Sequence, residues 1–181
     1  MKGRLVAVVG PSGVGKDSVM AALEDACTSI RCVRRVVTRS ADAEGEDFDA
    51  VSEAQFEDMQ RTEAFALHWR AHGLCYGIPR ETLETHGKGL SLLVNLSRSV
   101  LLEAQALFPE FCVLHLTAPL DVLAKRLKAR GRESKSAIAM RLERAEFALP
   151  KGLHNVIEVE NTGTLSDTAH KALQALQLES A

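Results

Sequence analysis

The chain lacks the features that define several large classes of protein. No stretch of its 181 residues approaches the roughly 20 consecutive apolar residues that a membrane-spanning helix needs. The apolar run near its start covers only a few residues, too few for a secretion signal. Its four cysteines form no C-x-x-C pair and do not stand at zinc-ligand spacing from histidines, so we expect reduced thiols. We therefore expect a cytoplasmic protein with no membrane partner.

The chain also lacks a strong charge of either sign. Its formal net charge is -2 and its pI is near 6.3, which gives no overall attraction to nucleic acid. Any anion must then be bound by local clusters of cationic groups. Because 46% of the residues are apolar and no internal repeat or linker interrupts them, the sequence predicts a single domain spanning residues 1–181.

Short apolar runs alternate with amphipathic segments, which is typical of an α/β fold with a doubly wound parallel sheet flanked by helices. The continuously apolar residues 5–9 predict the central strand, and a helix is predicted over residues 17–26. The other predicted strands are 32–37, 90–96, 111–116 and 155–159. The other predicted helices are 101–108, 119–129, 134–149 and 166–178. Two segments break this alternation, the acid-rich 40–87 and the arginine-rich 125–144, and we interpret them as movable flaps beside the sheet.

A glycine-rich segment with a lysine joins the first predicted strand to the first predicted helix. Backbone N–H groups of such a loop point at phosphate oxygens, the helix start adds the positive end of its dipole, and the lysine reaches the outer phosphates. A glycine-rich turn with no ligand would not explain Lys16. The strand before the loop and the helix after it match the P-loop context, so we predict an ATP-binding phosphotransferase. The predicted ATP-binding residues are Gly10, Pro11, Ser12, Gly13, Val14, Gly15, Lys16, Asp17 and Ser18.

This loop lacks the serine or threonine that usually follows the lysine and whose hydroxyl meets the metal, because Asp17 stands there. A carboxylate suits Mg2+, but beside a triphosphate it is repelled unless the ion lies between them. We therefore predict that Asp17 binds Mg2+ directly or through water. The alternative is that Asp17 only stabilises the helix start, by about 0.3–1 kcal/mol. The strand predicted at 90–96 ends without an acidic residue, so metal binding would depend on Asp17, water and the phosphates.

Further motifs follow the loop in a fixed order: Thr38-Arg39, the acidic segment 44–52, Tyr76-Gly77 and the arginine-rich segment 123–133. Together with the loop, they resemble the guanylate kinase family over nearly the whole chain. The resemblance implies a P-loop kinase fold in which Thr38, Arg39 and Tyr76 bind the acceptor substrate. It also implies an acceptor-binding flap at about 40–87 and an arginine-rich lid at about 125–144.

Arginines of the predicted lid match the positions with which that family closes over the transferred phosphoryl group. The resemblance implies that Arg126, Arg130 and Arg141 act with Lys16 in catalysis. The alternative is a solvated helix face whose arginines pair with glutamates, usually worth less than about 0.5 kcal/mol per pair. For Arg132 and Arg144, which belong to the same segment, neither alternative is favoured.

The chain lacks the side chains with which the guanylate kinase family holds guanine. The corresponding positions are Arg35, Leu67, Asn95 and Ser97. A site without the family's polar groups cannot form the hydrogen bonds that bind the base. Arg34 and Arg35 instead add positive charge ahead of Arg39. We therefore expect a small, heavily phosphorylated acceptor rather than a nucleotide, with Arg35 among the residues that bind it.

A phosphate acceptor is already ionised at neutral pH and needs no general base, so catalysis reduces to aligning two anions and spreading their charge. The whole pattern resembles a branch of the family that phosphorylates a sugar bisphosphate, which implies ATP, Mg2+ and a place in phosphonate breakdown. One alternative is guanylate kinase activity on GMP. The other is a non-catalytic interaction module, which the intact Lys16 argues against.

Three further residues are weaker candidates. His68 and His72 flank Trp69, where packing is favoured over contact with the acceptor. Asn161 lies where the family's loop meets adenine, and a role in a turn is the alternative.

Overall fold

The computed structural model describes residues 4–39, 47–84, 89–129, 135–145 and 148–178, whose strands form two sheets. The described strands are β1 (Leu5–Val9), β2 (Ile30–Cys32), β3 (Arg35–Val37), β4 (Phe48–Ala50), β5 (Phe65–Ala71), β6 (Leu74–Pro79), β7 (Ser91–Asn95), β8 (Phe111–Thr117) and β9 (Val156–Glu160). The described helices are α1 (Lys16–Ala26), α2 (Glu53–Arg61), α3 (Arg80–Glu84), α4 (Leu101–Leu107), α5 (Leu120–Ala129), α6 (Lys135–Ala145) and α7 (Leu165–Leu176). Within these residues, no helix is both long and apolar enough to cross a membrane.

The first sheet, which we call the parallel sheet, has the strand order β2-β7-β1-β8-β9. Every pairing in it is parallel, and β1 lies at the centre with all its residues buried. Because successive side chains of a strand point to opposite faces, both faces of β1 need an apolar cover. The predicted parallel sheet with a central strand at residues 5–9 is confirmed.

Helices α1 and α7 cover one face of the parallel sheet. On this face Val6 and Val8 of β1 pack with Leu23 of α1 and Leu173 of α7 in one buried cluster. On the other face, Leu5, Ala7 and Val9 of β1 share a second cluster with α4 and with residues of β5 and β6. The predicted amphipathic helices at both ends of the chain are therefore present, and their apolar sides face the sheet.

Residues 32–37 form parts of two strands, so the prediction of one continuous strand is wrong. Cys32 ends β2 in the parallel sheet, and the N–H of Val33 still donates to the carbonyl of Leu93 at 2.8 Å. The chain then leaves this sheet, and β3 pairs with β4 and β6 instead. Because the run contains no glycine or proline, nothing in its sequence marks the change of partner.

The second sheet, which we call the mixed sheet, has the order β4-β3-β6-β5 and lies mostly within the predicted flap. The pairing of β3 with β4 is parallel, whereas β6 is antiparallel to both β3 and β5. Helix α2 begins with a capping box, in which the side chain of Ser52 accepts from the N–H of Gln55 and the side chain of Gln55 accepts from the N–H of Ser52. The described part of the predicted flap is thus regular structure.

The four cysteines are free thiols. Burial, assisted by the nearby carboxylate of Glu24, raises the pKa of Cys32 to about 12. Burial also raises the pKa of Cys112. Because the thiolate is the reactive form, these two groups are held in their unreactive state.

Candidate active site

The loop between β1 and α1 lies tightly against the end of β8. A Cβ atom on Gly10, whose φ is 156°, would come within 2.4 Å of the carbonyl oxygen of Leu116. Gly15, with φ of 90°, is the N-cap of α1. Nζ of Lys16 donates to the carbonyl of Gly10 at 3.0 Å and to that of Pro11 at 3.4 Å. The lysine therefore folds back across the loop that it follows.

Arginines from both helices of the predicted lid contact this loop. Nη1 of Arg126, on α5, donates to the carbonyl of Val14 at 3.3 Å. Nη1 of Arg141, on α6, donates to the hydroxyl of Ser12 at 2.7 Å. The structure thus brings together Lys16 and these two predicted catalytic arginines. Arg130, Arg132 and the side chain of Arg144 lie outside the described residues.

Asp17 lies in the first turn of α1 and is joined to the end of β7. Nδ2 of Asn95 donates to Oδ1 of Asp17 at 3.3 Å, and Asn95 is 9% exposed. This contact holds the carboxylate beside the phosphate loop. Among the described residues, no group of three or more His, Cys, Asp or Glu side chains could enclose a metal. One carboxylate beside a phosphate loop nevertheless fits Mg2+, which commonly binds through one or two carboxylates, phosphates and water.

Arg35 lies on the other side of Asn95 and is 6% exposed. Its Nη1 donates to the carbonyl of Asn95 at 2.8 Å, and its Cζ lies 5.1 Å from the ring centroid of Tyr76 and 5.9 Å from that of Trp69. The two rings stack at 5.3 Å with an interplanar angle of 9°, and Nε1 of Trp69 donates to the hydroxyl of Ser97 at 3.0 Å. A buried cation thus packs against two aromatic rings at the carboxyl end of β7.

Thr38 and Arg39, which follow β3, have contacts within the mixed sheet. The hydroxyl of Thr38 accepts from the N–H of Cys75 at 2.8 Å, and its N–H donates to the carbonyl of Cys75 at 3.1 Å. Arg39 is exposed, and its Cζ lies 6.0 Å from the ring centroid of Phe48. Thr38 therefore fixes the end of β3 to β6, which determines where Arg39 leaves the sheet.

Arg34 and Arg35 are adjacent in sequence but have different surroundings. Arg34 is exposed and forms ion pairs with Asp47 at 3.0 Å and Asp49 at 2.8 Å. The carboxylates of Asp49, in β4, and Asp47, just before β4, balance the charge of Arg34 at the surface. The positive charge predicted at this pair is therefore directed toward the site by Arg35 alone.

The two candidate histidines lie on the β5-β6 hairpin. His68 is exposed, and its Nδ1 is 3.1 Å from Nε2 of Gln60. His72 stands in the turn of the hairpin with φ of 53°. Packing was the role favoured for both histidines from the sequence, and the structure shows His68 beside Gln60 and His72 exposed in the turn.

Two residues around the loop were given too little weight in the sequence-based prediction of the site. Asn161, just after β9, was only a weak candidate, yet it donates from Nδ2 to the carbonyl of Val14 at 2.8 Å, and its Oδ1 accepts from the hydroxyl of Thr168 at 2.8 Å. Asn95, described above, was considered only as a position lacking a guanine contact. Buried amides just after or at the end of parallel strands are the signal that could have indicated both residues.

The parallel sheet, the loop after its central strand, and the lysine and arginines at that loop define a P-loop phosphotransferase. A family model described as an AAA domain matches residues 6–149. The chain belongs to the family of ribose 1,5-bisphosphate phosphokinases. It is 51% identical to ribose 1,5-bisphosphate phosphokinase PhnN of Ruegeria sp. (strain TM1040), over 99% of this chain and 95% of that protein. It is 47% identical to the protein of the same name from Pseudomonas paraeruginosa, over 96% of this chain and 95% of that protein.

Solved structures of other kinases share the fold. The guanylate kinase from Anaplasma phagocytophilum superposes with a TM-score of 0.67 at 21% identity, over 97% of this chain and 85% of that chain. A gluconokinase from Sinorhizobium meliloti 1021 superposes with a TM-score of 0.54 at 20% identity, over 97% of this chain and 92% of that chain. At these identities the likeness concerns the fold alone, and it confirms the guanylate kinase-like architecture expected from the motifs.

Proposed function

We propose that the chain transfers the γ-phosphoryl group of ATP to the 1-phosphate of ribose 1,5-bisphosphate, giving 5-phosphoribosyl 1-diphosphate and ADP. The observation that carries the choice of acceptor is the 51% identity, over 99% of this chain, to a protein named for this activity. The loop and the cationic groups around it support the reaction class independently of that name.

In this reaction an oxygen of the acceptor's 1-phosphate attacks the γ-phosphorus of ATP. A bond forms between these two atoms, and the bond from the γ-phosphorus to the bridging oxygen breaks, so that the electron pair leaves with ADP. The attacking oxygen is already ionised, and no proton has to be removed. The enzyme must therefore align two anions and stabilise charge, which suits Lys16, Arg126 and Arg141 at the loop.

Mg2+ fits beside the loop in this proposal, with Asp17 as its protein carboxylate. When bound, the ion neutralises charge on the phosphates of ATP. The amide of Asn95, 3.3 Å from Oδ1 of Asp17, orients the carboxylate toward the loop. The rest of the coordination shell would come from phosphates and water.

We assign acceptor binding to Arg35, Thr38, Arg39 and Tyr76. Arg35 provides a buried positive charge at the carboxyl end of β7, where ligands of parallel α/β sheets bind. A doubly phosphorylated sugar needs cationic partners at both ends, and Arg39 is the second one from the same segment. In this assignment residues 40–87 act as the acceptor-binding flap and residues 125–144, including Arg130, as the lid.

The direct test is to incubate the protein with ATP, Mg2+ and ribose 1,5-bisphosphate, with GMP replacing the sugar in a parallel reaction. We expect 5-phosphoribosyl 1-diphosphate and ADP in the first reaction and no GDP in the second. A Lys16→Met variant serves as the control for contaminating kinases. Turnover of GMP alone would show that the acceptor assignment is wrong.

A further inference from the structure

A buried amide connects the phosphate loop to the C-terminal helix. Asn161 is 5% exposed, and its backbone N–H donates to the carbonyl of Thr117 at 2.8 Å, which fixes it at the end of the parallel sheet. Its Nδ2 donates to the carbonyl of Val14 at 2.8 Å. Its Oδ1 accepts from the hydroxyl of Thr168, which is 1% exposed on α7. Both ends of this amide are therefore held by buried partners.

Thr168 supports the orientation in which the NH2 group of the Asn161 amide faces the loop. Its single hydroxyl proton has an acceptor at 2.8 Å in Oδ1 of Asn161 and a more distant one at 3.2 Å in the carbonyl of Thr164. When the hydroxyl donates to Oδ1, the NH2 group of the amide must point the other way, toward Val14. Gly15 has φ of 90°, which strains any other residue, and a Cβ atom there would lie 3.0 Å from Nδ2, so the amide would have to shift by a few tenths of an ångström.

The carbonyl of Val14 accepts hydrogen bonds from two side chains, Asn161 at 2.8 Å and Arg126 at 3.3 Å. This carbonyl belongs to the same peptide unit as the N–H of Gly15. In a planar trans peptide the N–H points opposite to the carbonyl, so the N–H of Gly15 points away from Asn161. In glycine-rich phosphate loops, the backbone N–H groups that point to the inner side of the loop bind phosphate.

Donors on a carbonyl oxygen have two effects on the N–H of the same peptide. They fix the orientation of the peptide plane, and they polarise it, which strengthens the N–H as a donor by roughly 10–30% per bond. We propose that Asn161 is a positioning residue that, held by Thr168, orients and polarises the Val14-Gly15 peptide so that the N–H of Gly15 binds a phosphate of ATP. This inference rests on the proposed ATP site at the loop but not on the identity of the acceptor.

The test measures binding without the acceptor, by titration calorimetry with Mg2+ and each of three ligands: ATP, ADP and inorganic tripolyphosphate. The variants are Asn161→Ala, Asn161→Asp, Thr168→Val and Thr168→Ser. A carboxylate in place of the amide cannot donate to the carbonyl of Val14, and valine matches the shape of threonine without its hydroxyl. The matched control is Thr162→Val, which removes an exposed hydroxyl that bonds to Glu160 at 2.8 Å, one residue from Asn161.

We expect the Kd of all three ligands to rise about tenfold in Asn161→Ala and at least as much in Asn161→Asp, because a buried acceptor loses its partner. Thr168→Val should raise the three Kd values about threefold, whereas Thr168→Ser and Thr162→Val should keep the wild-type values. Recovery by serine separates the role of the hydroxyl from a general packing role. Melting curves identify any variant that is not folded. If Asn161→Ala is not folded, the comparison of Thr168→Val with Thr168→Ser tests the inference instead.

Two results would overturn the inference. Weaker binding of ATP with unchanged binding of tripolyphosphate would mean that the amide serves the nucleoside, as the family's adenine contact implies. Unchanged binding of every ligand in folded variants would mean that the peptide does not depend on Asn161. If the wild-type protein binds none of the three ligands, the proposed function itself fails, which distinguishes the two failures.

Discussion

At the level of single residues, Asn95 joins the side of the site proposed for the nucleotide to the side proposed for the acceptor substrate. Its side-chain amide donates to Asp17, and its backbone carbonyl accepts from Arg35. A change of its side chain would therefore affect Asp17 directly, whereas the backbone carbonyl that accepts the hydrogen bond from Arg35 would stay in place. The carboxylate proposed for Mg2+ and the cation proposed for the acceptor are thus held by two different groups of one residue.

Replacing Asp17 with asparagine tests the proposed metal contact. The Asp17→Asn variant keeps a polar side chain next to Asn95 but loses the negative charge that attracts Mg2+. We expect the Mg2+ concentration for half-maximal activity to rise about tenfold or more. The control is Asp25→Asn, which removes an exposed carboxylate from the same helix. An unchanged Mg2+ requirement in the Asp17 variant would leave this residue only a role at the helix start.

Arg35 at the start of β3 and Arg34 just before it provide a matched pair for testing the acceptor site. Arg35→Met removes a buried charge-assisted donor while keeping much of the side-chain volume, so the KM for ribose 1,5-bisphosphate should rise about 10- to 100-fold with little change in the KM for ATP. Arg34→Met removes an exposed arginine paired with Asp47 and Asp49, and it should change neither constant. Steady-state kinetics with each substrate varied in turn measures both. Equal effects of the two substitutions would remove Arg35 from the acceptor site.

At the level of secondary-structure elements, the sequence predicted the parts of the fold that depend on local pattern. The apolar run 5–9 suits a strand buried on both faces, and the alternation after it predicted the parallel sheet. Residues 32–37 were different, because a β-branched run fits either sheet and only the partners decide where β2 ends and β3 begins. The strands of the flap were missed for the same reason, since hairpin β5-β6 is stabilised by burial against the parallel sheet.

The candidate site divides in a similar way. The phosphate loop could be proposed from the sequence because its chemistry lies in consecutive residues, and its ATP-binding role stays a prediction. The contacts that support it were not, because Asn161 and Thr168 lie 147 and more residues from Val14 and join it only through the order of the strands. Neighbours in an extended chain point to opposite sides, so only one of Arg34 and Arg35 can face the site. The sequence could not show which one, because that depends on the strands with which β3 pairs.

Helix α5 provides a test of the proposed lid. Arg126→Ala removes a cation that donates to the loop at Val14, and we expect kcat to fall by about 10²–10³ with a higher KM for ATP. The neighbouring Lys125→Ala removes an exposed lysine paired with Asp121 at 3.5 Å, which contributes no more than about 0.5 kcal/mol to stability. It should leave kcat unchanged. If both substitutions lower kcat equally, the effect belongs to the charge of the helix and not to a contact of Arg126.

At the level of the whole molecule, the two sheets share a core. Leu67, Trp69 and Ile78 of the mixed sheet belong to the same buried cluster as Leu5 and Val113 of the parallel sheet. The mixed sheet and helix α2 share a small buried cluster, formed by Val36, Phe56, Phe65 and Cys75. A cluster of this size is too small to support an independent unit. We therefore propose that the chain is a single domain in which the acceptor side cannot unfold alone.

Trp69, the single tryptophan of the chain, makes this proposal measurable. It is 6% exposed, stacks on Tyr76 and donates to Ser97 after β7, so its fluorescence reports the junction of the two sheets. Far-UV circular dichroism reports the helices, most of which pack on the parallel sheet. If the two sheets unfold together, both signals must give the same urea midpoint. ATP with Mg2+ at a hundred times its Kd should then raise the free energy of unfolding by about 2.7 kcal/mol in both signals, although it binds at the loop. A tryptophan transition at lower urea, unmoved by ATP, would instead show that the mixed sheet is a separate unit whose stability is independent of the phosphate loop.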